Sequence, residues 1–180
     1  QTSAKRMLAY SSISHAGYLL MSLVAFNSNS ASSILFYSLA YATASIAAFG
    51  VLMLVSDQKG SDKYEAFNGL GKTNPLLAFA MTVSMLSLAG IPLTAGFFAK
   101  FFVFTAVLQD ANMLWLIIVA VLLAAVGIYY YLRVVIAMYM QPAANDEKIQ
   151  VSGIASFTLI VITVLTILLG IAPALMSNIL

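Results

Sequence analysis

The run from Leu76 to Gln109 constrains this chain most: LLAFAMTVSMLSLAGIPLTAGFFAKFFVFTAVLQ. Leu76 to Ala106 is 31 residues with a single charge, Lys100. As one straight helix it would be roughly 46 Å long. A bilayer's hydrocarbon core is only about 30 Å thick, and about 20 residues span it. Gly90, Pro92 and Gly96 lie inside the run. Proline has no backbone donor and its ring crowds the preceding turn, which argues against a continuous helix. The run therefore predicts a membrane helix broken near Gly90-Ile91-Pro92, with a lysine about two turns past the break. Broken spans that carry buried charge are a mark of transporters.

Composition agrees with a membrane setting. The chain is 62% hydrophobic and 8% charged, where soluble domains carry about 25% charged residues. A net charge of +2 gives no support to a nucleic-acid partner. With no cysteine, disulfides, thiolate metal sites and iron–sulfur ligation by this chain are excluded. His15 is the single histidine, too few for a histidine-based metal site. No cofactor and no metal is expected, and quinone or haem chemistry by this chain alone is not supported. The chain opens on Gln1, and no basic-then-apolar leader precedes the first apolar run. It reads as a piece of a longer protein.

The predicted fold class is all-α, a polytopic transmembrane helix bundle of five spans with the third discontinuous at Gly90–Pro92. The spans are 7–26, about 34–55, the broken run, about 113–139 and 153–171, the last stopped by Pro173. The ten-residue alternating segments of a β-barrel are missing from the pattern. Asp57 to Asn74 is the main hydrophilic loop. A second polar loop, Gln141 to Ser152, holds Asn145, Asp146, Glu147 and Lys148. Lys5, Arg6, Lys59, Lys63, Lys72 and Lys148 fall on one side of this topology and no lysine or arginine falls on the other. The positive-inside rule puts the charged side in the cytoplasm, with the N-terminus inside and the C-terminus outside.

Polar residues recur within the spans. Ser11, Ser14, His15, Tyr18 and Ser22 share one face of the first helix. That face suits interhelical hydrogen bonding or a hydrated proton path with His15 as a titratable member. Tyr37, Tyr41 and Ser45 form a similar face on the second, with Thr43 off it; packing is the plainer role. Lys100 is costly within a span, by about 2.5–3.5 kcal/mol on insertion scales. A buried lysine beside unwound carbonyls reads as functional, and no acidic residue inside the spans pairs with it. Tyr129-Tyr130-Tyr131 and Arg133 read as an aromatic belt with an interfacial anchor. In the last span Thr158, Thr163 and Thr166 read only as packing. No nucleotide-binding or nucleophile motif is present.

Three stretches together, QTSAKRMLAYSSISHAGYLL, LSLAGIPLTAGFFAKFFVF and GIYYYLRVV, resemble the antiporter-like membrane subunits of respiratory NADH:quinone oxidoreductase (complex I). The third is most similar to the N subunits of the bacterial enzymes and is also similar to mitochondrial and chloroplast counterparts. The likeness runs along the whole chain, in order. It covers only the C-terminal part of a fourteen-helix subunit, helices ten to fourteen. It implies two inverted five-helix repeats, each with a broken helix bearing a buried lysine or glutamate. Lys100 matches that residue on the second broken helix, Lys5 a basic position at the cytoplasmic start of the tenth helix, and His15 a polar position on it. The family's other lysines and its essential glutamate lie upstream.

The resemblance implies that residues 1–140 are part of the second antiporter-like repeat. Residues 141–180 are then a cytoplasmic loop and the C-terminal helix. It further implies a proton-translocating subunit in the inner (plasma) membrane, part of an outward half-channel, with Lys100, His15, Lys5, Ser11, Tyr18 and Tyr41 on the proton pathway. Such a subunit binds neither NADH nor flavin. Its partners are the other membrane-arm subunits and the lipid bilayer, and it carries protons and water. Two rival readings stand beside it: a subunit of a multi-subunit cation/proton antiporter, and a membrane scaffold that moves no ion.

Overall fold

The computed structural model describes residues 1–143 and 148–173. Asn145, Asp146 and Glu147 of the second polar loop, and the C-terminal end assigned to the outer side, lie outside these residues. The helices are α1 (Ala4–Ala25), α2 (Ser30–Lys59), α3 (Leu70–Thr73), α4 (Pro75–Ala89), α5 (Ala95–Val107), α6 (Leu114–Met140) and α7 (Gly153–Ile171). Single 3-10 turns cover Tyr64–Phe67 and Ala111–Met113. Among the described residues there is no strand, only an isolated bridge between Ser3 and Lys63. Four helices, α1, α2, α6 and α7, are long and apolar enough to cross a membrane. α4 and α5 are apolar but shorter.

Local signals set the helix ends. Ser3 caps α1, Thr94 caps α5 and Ser152 caps α7, each accepting a bond from an amide of the first turn. Pro75 opens α4 at the position where a missing amide costs nothing. α2 runs about a turn further at each end than the apolar pattern indicates. Lys5 and Arg6 sit within α1, exposed, and do not form a separate flank.

The stretch after α2 departs from a solvated loop. Phe67 and Leu70 are fully buried. The Ala4 amide donates to the Asp62 carbonyl at 2.8 Å, and the Ser3 hydroxyl donates to the Asp62 carboxylate at 2.6 Å. Arg133 lies with its guanidinium carbon 4.7 Å from the centre of the Tyr64 ring, and its Nη1 donates to the Gln1 carbonyl at 3.2 Å. It braces the chain's start and this loop, which replaces the expected interfacial anchor. Burial raises the Tyr64 hydroxyl's pKa, and the Arg133 charge opposes the shift.

α2 is the central helix, in contact with α1, α4, α5 and α7. Two apolar clusters form the core. One joins α4 to parts of α1, α2 and α6 through Met81, Met85, Val51, Val55 and Val134. The other joins α5 to the remaining parts of α1, α2 and α6 through Tyr37, Phe36, Val103 and Val107. Ala89 belongs to the first cluster and Ala95 to the second, so the link from α4 to α5 crosses the boundary between them.

A strap holds the start of α7. The Asn74 side-chain amide donates to the Ile149 carbonyl and accepts from the Ile149 amide, both at 2.9 Å. Gln58 makes the same two-point pairing with Gln150, at 2.6 and 2.7 Å. Each side chain copies the donor–acceptor pair of a neighbouring strand. Asn74→Ala is expected to lower stability by about 1–3 kcal/mol, because it leaves two backbone groups unpaired. Thermal unfolding of the full-length protein in detergent measures this, and an unchanged midpoint would show that the strap contributes nothing.

Candidate functional site: a lysine at a helix break

α4 ends in a Schellman motif. Gly90 takes φ +81°, in the left-handed region. Its amide donates to the Ser87 carbonyl at 3.0 Å, and the Ile91 amide donates to the Leu86 carbonyl at 3.1 Å. The Leu88 carbonyl would normally accept from the amide four residues on. That residue is Pro92, which has none. A buried carbonyl without a donor is costly. Lys100 Nζ supplies the missing donor, at 2.9 Å from the Leu88 oxygen.

Lys100 lies in the second turn of α5 and is 7% exposed. Side chains on a helix lean toward its N-terminus, so the lysine stem runs back to the break. The ammonium there meets the C-terminal, negative end of the α4 dipole. It also lies 5.4 Å from the centre of the Tyr18 ring, within cation–π range. Among the described residues the acidic side chains are Asp57 in the last turn of α2, Glu65 in the 3-10 turn that follows, and Asp62 and Asp110 in the connections. None lies within an apolar stretch beside Lys100.

Two glycines let the parts approach. A Cβ on Gly90 would fall 2.9 Å from Lys100 Nζ. A Cβ on Gly96 would collide with the Ser87 carbonyl. The Gly96 amide donates to the Ser87 hydroxyl at 3.1 Å, which ties α5 back onto α4.

Around Lys100 the helices present a polar cluster. His15 Nδ1 is 2.7 Å from the Tyr37 hydroxyl, and Nε2 is 3.2 Å from the Tyr131 hydroxyl. Tyr131 also bonds Ser11. In a neutral imidazole one nitrogen donates and the other accepts, so one tyrosine hydroxyl donates a hydrogen bond to His15 and the other accepts one from it. The Tyr41 ring lies tilted against His15 with its centre 4.6 Å away, and the Tyr18 hydroxyl donates to the Ala120 carbonyl at 3.2 Å. A cavity of about 250 Å³ opens between α1 and α6, lined by Ser14, His15, Tyr18, Lys100, Tyr130 and Tyr131 among others. A second void of about 10 Å³ lies among His15, Tyr37, Tyr41, Ser87 and Lys100. That is close to the room one water needs.

The structure brings Lys100, His15, Tyr18, Tyr41 and Ser11 together, with Gly90, Pro92 and Gly96 framing the lysine. Lys5 stays exposed near the start of α1 and is not part of the cluster. Ser14, expected on the buried face, is exposed at the cavity rim. Thr43, expected off the α2 face, is buried. The tyrosine triplet does not act as one belt: Tyr129 is exposed and Tyr131 is buried against His15. Tyr131 and Tyr37 also join this cluster, one from the triplet that reads as an aromatic belt and one from the α2 face whose plainer role is packing. Helical phase could have found Tyr131, which lies four residues from Gly127 and three from Val134, all on the buried face of α6.

Fold and site together define an α-helical membrane protein with a buried lysine bonded to the open end of a neighbouring helix. Residues 1–127 match the family described as NADH:quinone oxidoreductase/Mrp antiporter, transmembrane, and the chain belongs to that family. It is 47% identical over 173 residues to NADH-quinone oxidoreductase subunit N 2 of Herpetosiphon aurantiacus, covering 96% of this chain and 32% of the relative. It is similar to a chain of respiratory complex I from Thermus thermophilus, with 36% identity and a TM-score of 0.83, covering 97% of this chain and 39% of that one. It is also similar to a chain of the membrane-bound sulfane sulfur reductase, an archaeal respiratory membrane complex. There the identity is 29% and the TM-score 0.89, over 99% of this chain and 36% of that one. The chain thus spans about a third of the length of the curated relative it matches.

Pro92→Ala restores an amide in register with the Leu88 carbonyl. α4 is expected to extend past Gly90 and Lys100 to lose its partner. Cryo-electron microscopy of the full-length variant reads this directly. A Lys100–Leu88 contact still at hydrogen-bond length would contradict the account.

Proposed function

We propose that this chain carries part of a proton-translocating subunit of an NADH:quinone oxidoreductase. In this reading α4 and α5 cross the membrane together, as one span broken at Gly90–Pro92. With α1, α2, α6 and α7 they make five spans. Residues 1–140 form part of an antiporter-like repeat, and residues 141–180 a loop and a terminal helix. The start of α1 faces the cytoplasm, the far end of α7 faces outward, and the whole lies in the inner membrane beside other membrane-arm subunits. Hydride and quinone chemistry take place elsewhere in the complex.

The observation that carries this reading is a buried lysine whose hydrogen-bond partner is a backbone carbonyl and not a carboxylate. A carboxylate would lock the ammonium in its charged state. A carbonyl accepts a hydrogen bond from ammonium and from neutral amine alike, so the proton can leave without the contact breaking. Water in the α1–α6 cavity delivers or removes it. His15, Tyr37, Tyr131 and Ser11 offer a connected set of hydroxyl and imidazole groups, with Tyr18 and Tyr41 around them. Lys5 marks the cytoplasmic start of α1. The chain holds most of an outward half-channel, and the rest of the path lies in the remainder of the longer subunit.

The family description also names Mrp antiporters. Proton movement that needs sodium and no NADH would shift the reading to cation exchange. The main test is substitution at Lys100 in the full-length protein. Lys100→Ala removes the proton carrier, and Lys100→Arg keeps a charge that does not leave at accessible pH. Both are expected to abolish proton pumping into membrane vesicles at normal assembly. Pumping at the wild-type rate in either variant would sink the proposal.

A further inference from the structure

α7 approaches the break more closely than packing of side chains allows. Gly170, in its last turn, is buried. A Cβ there would lie 2.7 Å from the Ala95 nitrogen, 2.7 Å from the Leu93 oxygen and 2.8 Å from the Thr94 carbonyl carbon. All three are backbone atoms, and no rotamer change can move them aside. The link they belong to is itself strained. Leu93 takes φ +70°, a conformation that is unfavourable for a branched residue and persists only where the surroundings enforce it. Its side chain is 78% exposed, so its own packing does not enforce it. Gly96 on the Ser87 carbonyl holds one end of the link, and Gly170 presses on its middle. The other end of α7 is fixed by the strap on Gln58 and Asn74.

We infer that Gly170 is a positioning residue for Lys100: α7 seats the Leu93–Ala95 backbone, and that seat sets the Leu88 carbonyl against the Lys100 amine. The inference rests on the proposed role of Lys100 for its consequence in transport, but not for its geometry. The titratable side chains lining the cavities with Lys100 are His15 and Tyr18 on α1, Tyr37 and Tyr41 on α2, and Tyr130 and Tyr131 on α6. α4 and α7 contain no titratable residue. α7 therefore acts on Lys100 through the backbone seat and adds no charge of its own.

The test uses the full-length protein in its complex. Gly170→Ala is compared with Gly153→Ala, on the same helix, where an added Cβ meets nothing within 4 Å. Two quantities are read. One is proton pumping against pH. The other is the pH dependence with which Lys100 reacts with a small amine-reactive reagent, followed by mass spectrometry. Gly170→Ala is expected to move the midpoint of Lys100 labelling and to reduce pumping on the order of tenfold or more, as a misplacement near 1 Å does. Gly153→Ala is expected to match wild type in both. Adding Leu93→Gly to Gly170→Ala lets the link yield without strain and is expected to restore both readouts. If Gly170→Ala does not assemble alone, recovery of assembly by Leu93→Gly supports the seat, and no recovery overturns it. Reduced pumping with an unmoved labelling midpoint reduces Gly170 to helix packing and overturns the inference. A moved midpoint, in a protein where Lys100→Ala still pumps, keeps the seat and rejects the proton-carrying role.

Discussion

Much of this structure depends on one unpaired carbonyl. Pro92 removes the donor that the Leu88 oxygen would otherwise find, and a buried backbone acceptor left unsatisfied is costly. Lys100 answers that need from the second turn of the next helix. The bond in turn answers the lysine's own problem. Placing a lysine within an apolar span costs about 2.5–3.5 kcal/mol, and a hydrogen bond to a charged group returns about 1.5–3 kcal/mol. Either group alone is a defect in the bundle, and together they are close to neutral. The glycines follow from the same bond. Gly90 leaves room for the ammonium, Gly96 lets α5 close on Ser87, and Gly170 lets α7 lie against the link.

The split core reflects this break. A continuous helix would have tied the α4 and α5 clusters into one rigid body. Instead the chain crosses between them through a short link with two residues at positive φ, Gly90 and Leu93, and an exposed proline. A cavity of about 250 Å³ opens beside that crossing, between α1 and α6, where Gly17 and Gly127 carry no side chain. Polar groups gather beside it: Tyr18 and Tyr37 belong to the α5 cluster, Tyr131 to the α4 cluster, and His15 bonds to both through Tyr37 and Tyr131. The break therefore places room and titratable groups beside each other.

The sequence made the helical class and the end of α7 at Ile171 legible, because each follows from local chemistry: apolar length and a following proline. Lys100 stood out because it is the only charge in its run. What was not legible depends on which helices meet. Phe67 and Leu70 look like loop residues in a polar stretch, and only the packed bundle buries them. Tyr129-Tyr130-Tyr131 is one motif in the sequence, but a helix turns each member by about 100° relative to the last, so one faces out and one faces His15. Gly170 carries no signal at all. Its role appears only in the distance from α7 to the backbone of another helix, which no periodicity encodes.

A lysine held by a carbonyl is also sensitive to distant charge, and that bears on how such a site is driven. A charge pair with a nearby carboxylate would be worth several kcal/mol at the effective dielectric of a protein interior, and a remote charge would hardly compete with it. Without that partner the comparison changes. A unit charge about 10 Å away, at an effective dielectric of about 20, acts on the ammonium with about 1.7 kcal/mol. Since about 1.4 kcal/mol is tenfold in an equilibrium, moving that one charge alters the ratio of charged to neutral lysine by more than tenfold. No carboxylate within this chain's spans can perform that control, and His15 lies inside the same cluster. On the proposed reading, the controlling charge lies in the part of the subunit upstream or in a neighbouring one. The break then does more than accommodate a lysine: by offering an uncharged partner, it leaves the proton free to respond to charges elsewhere.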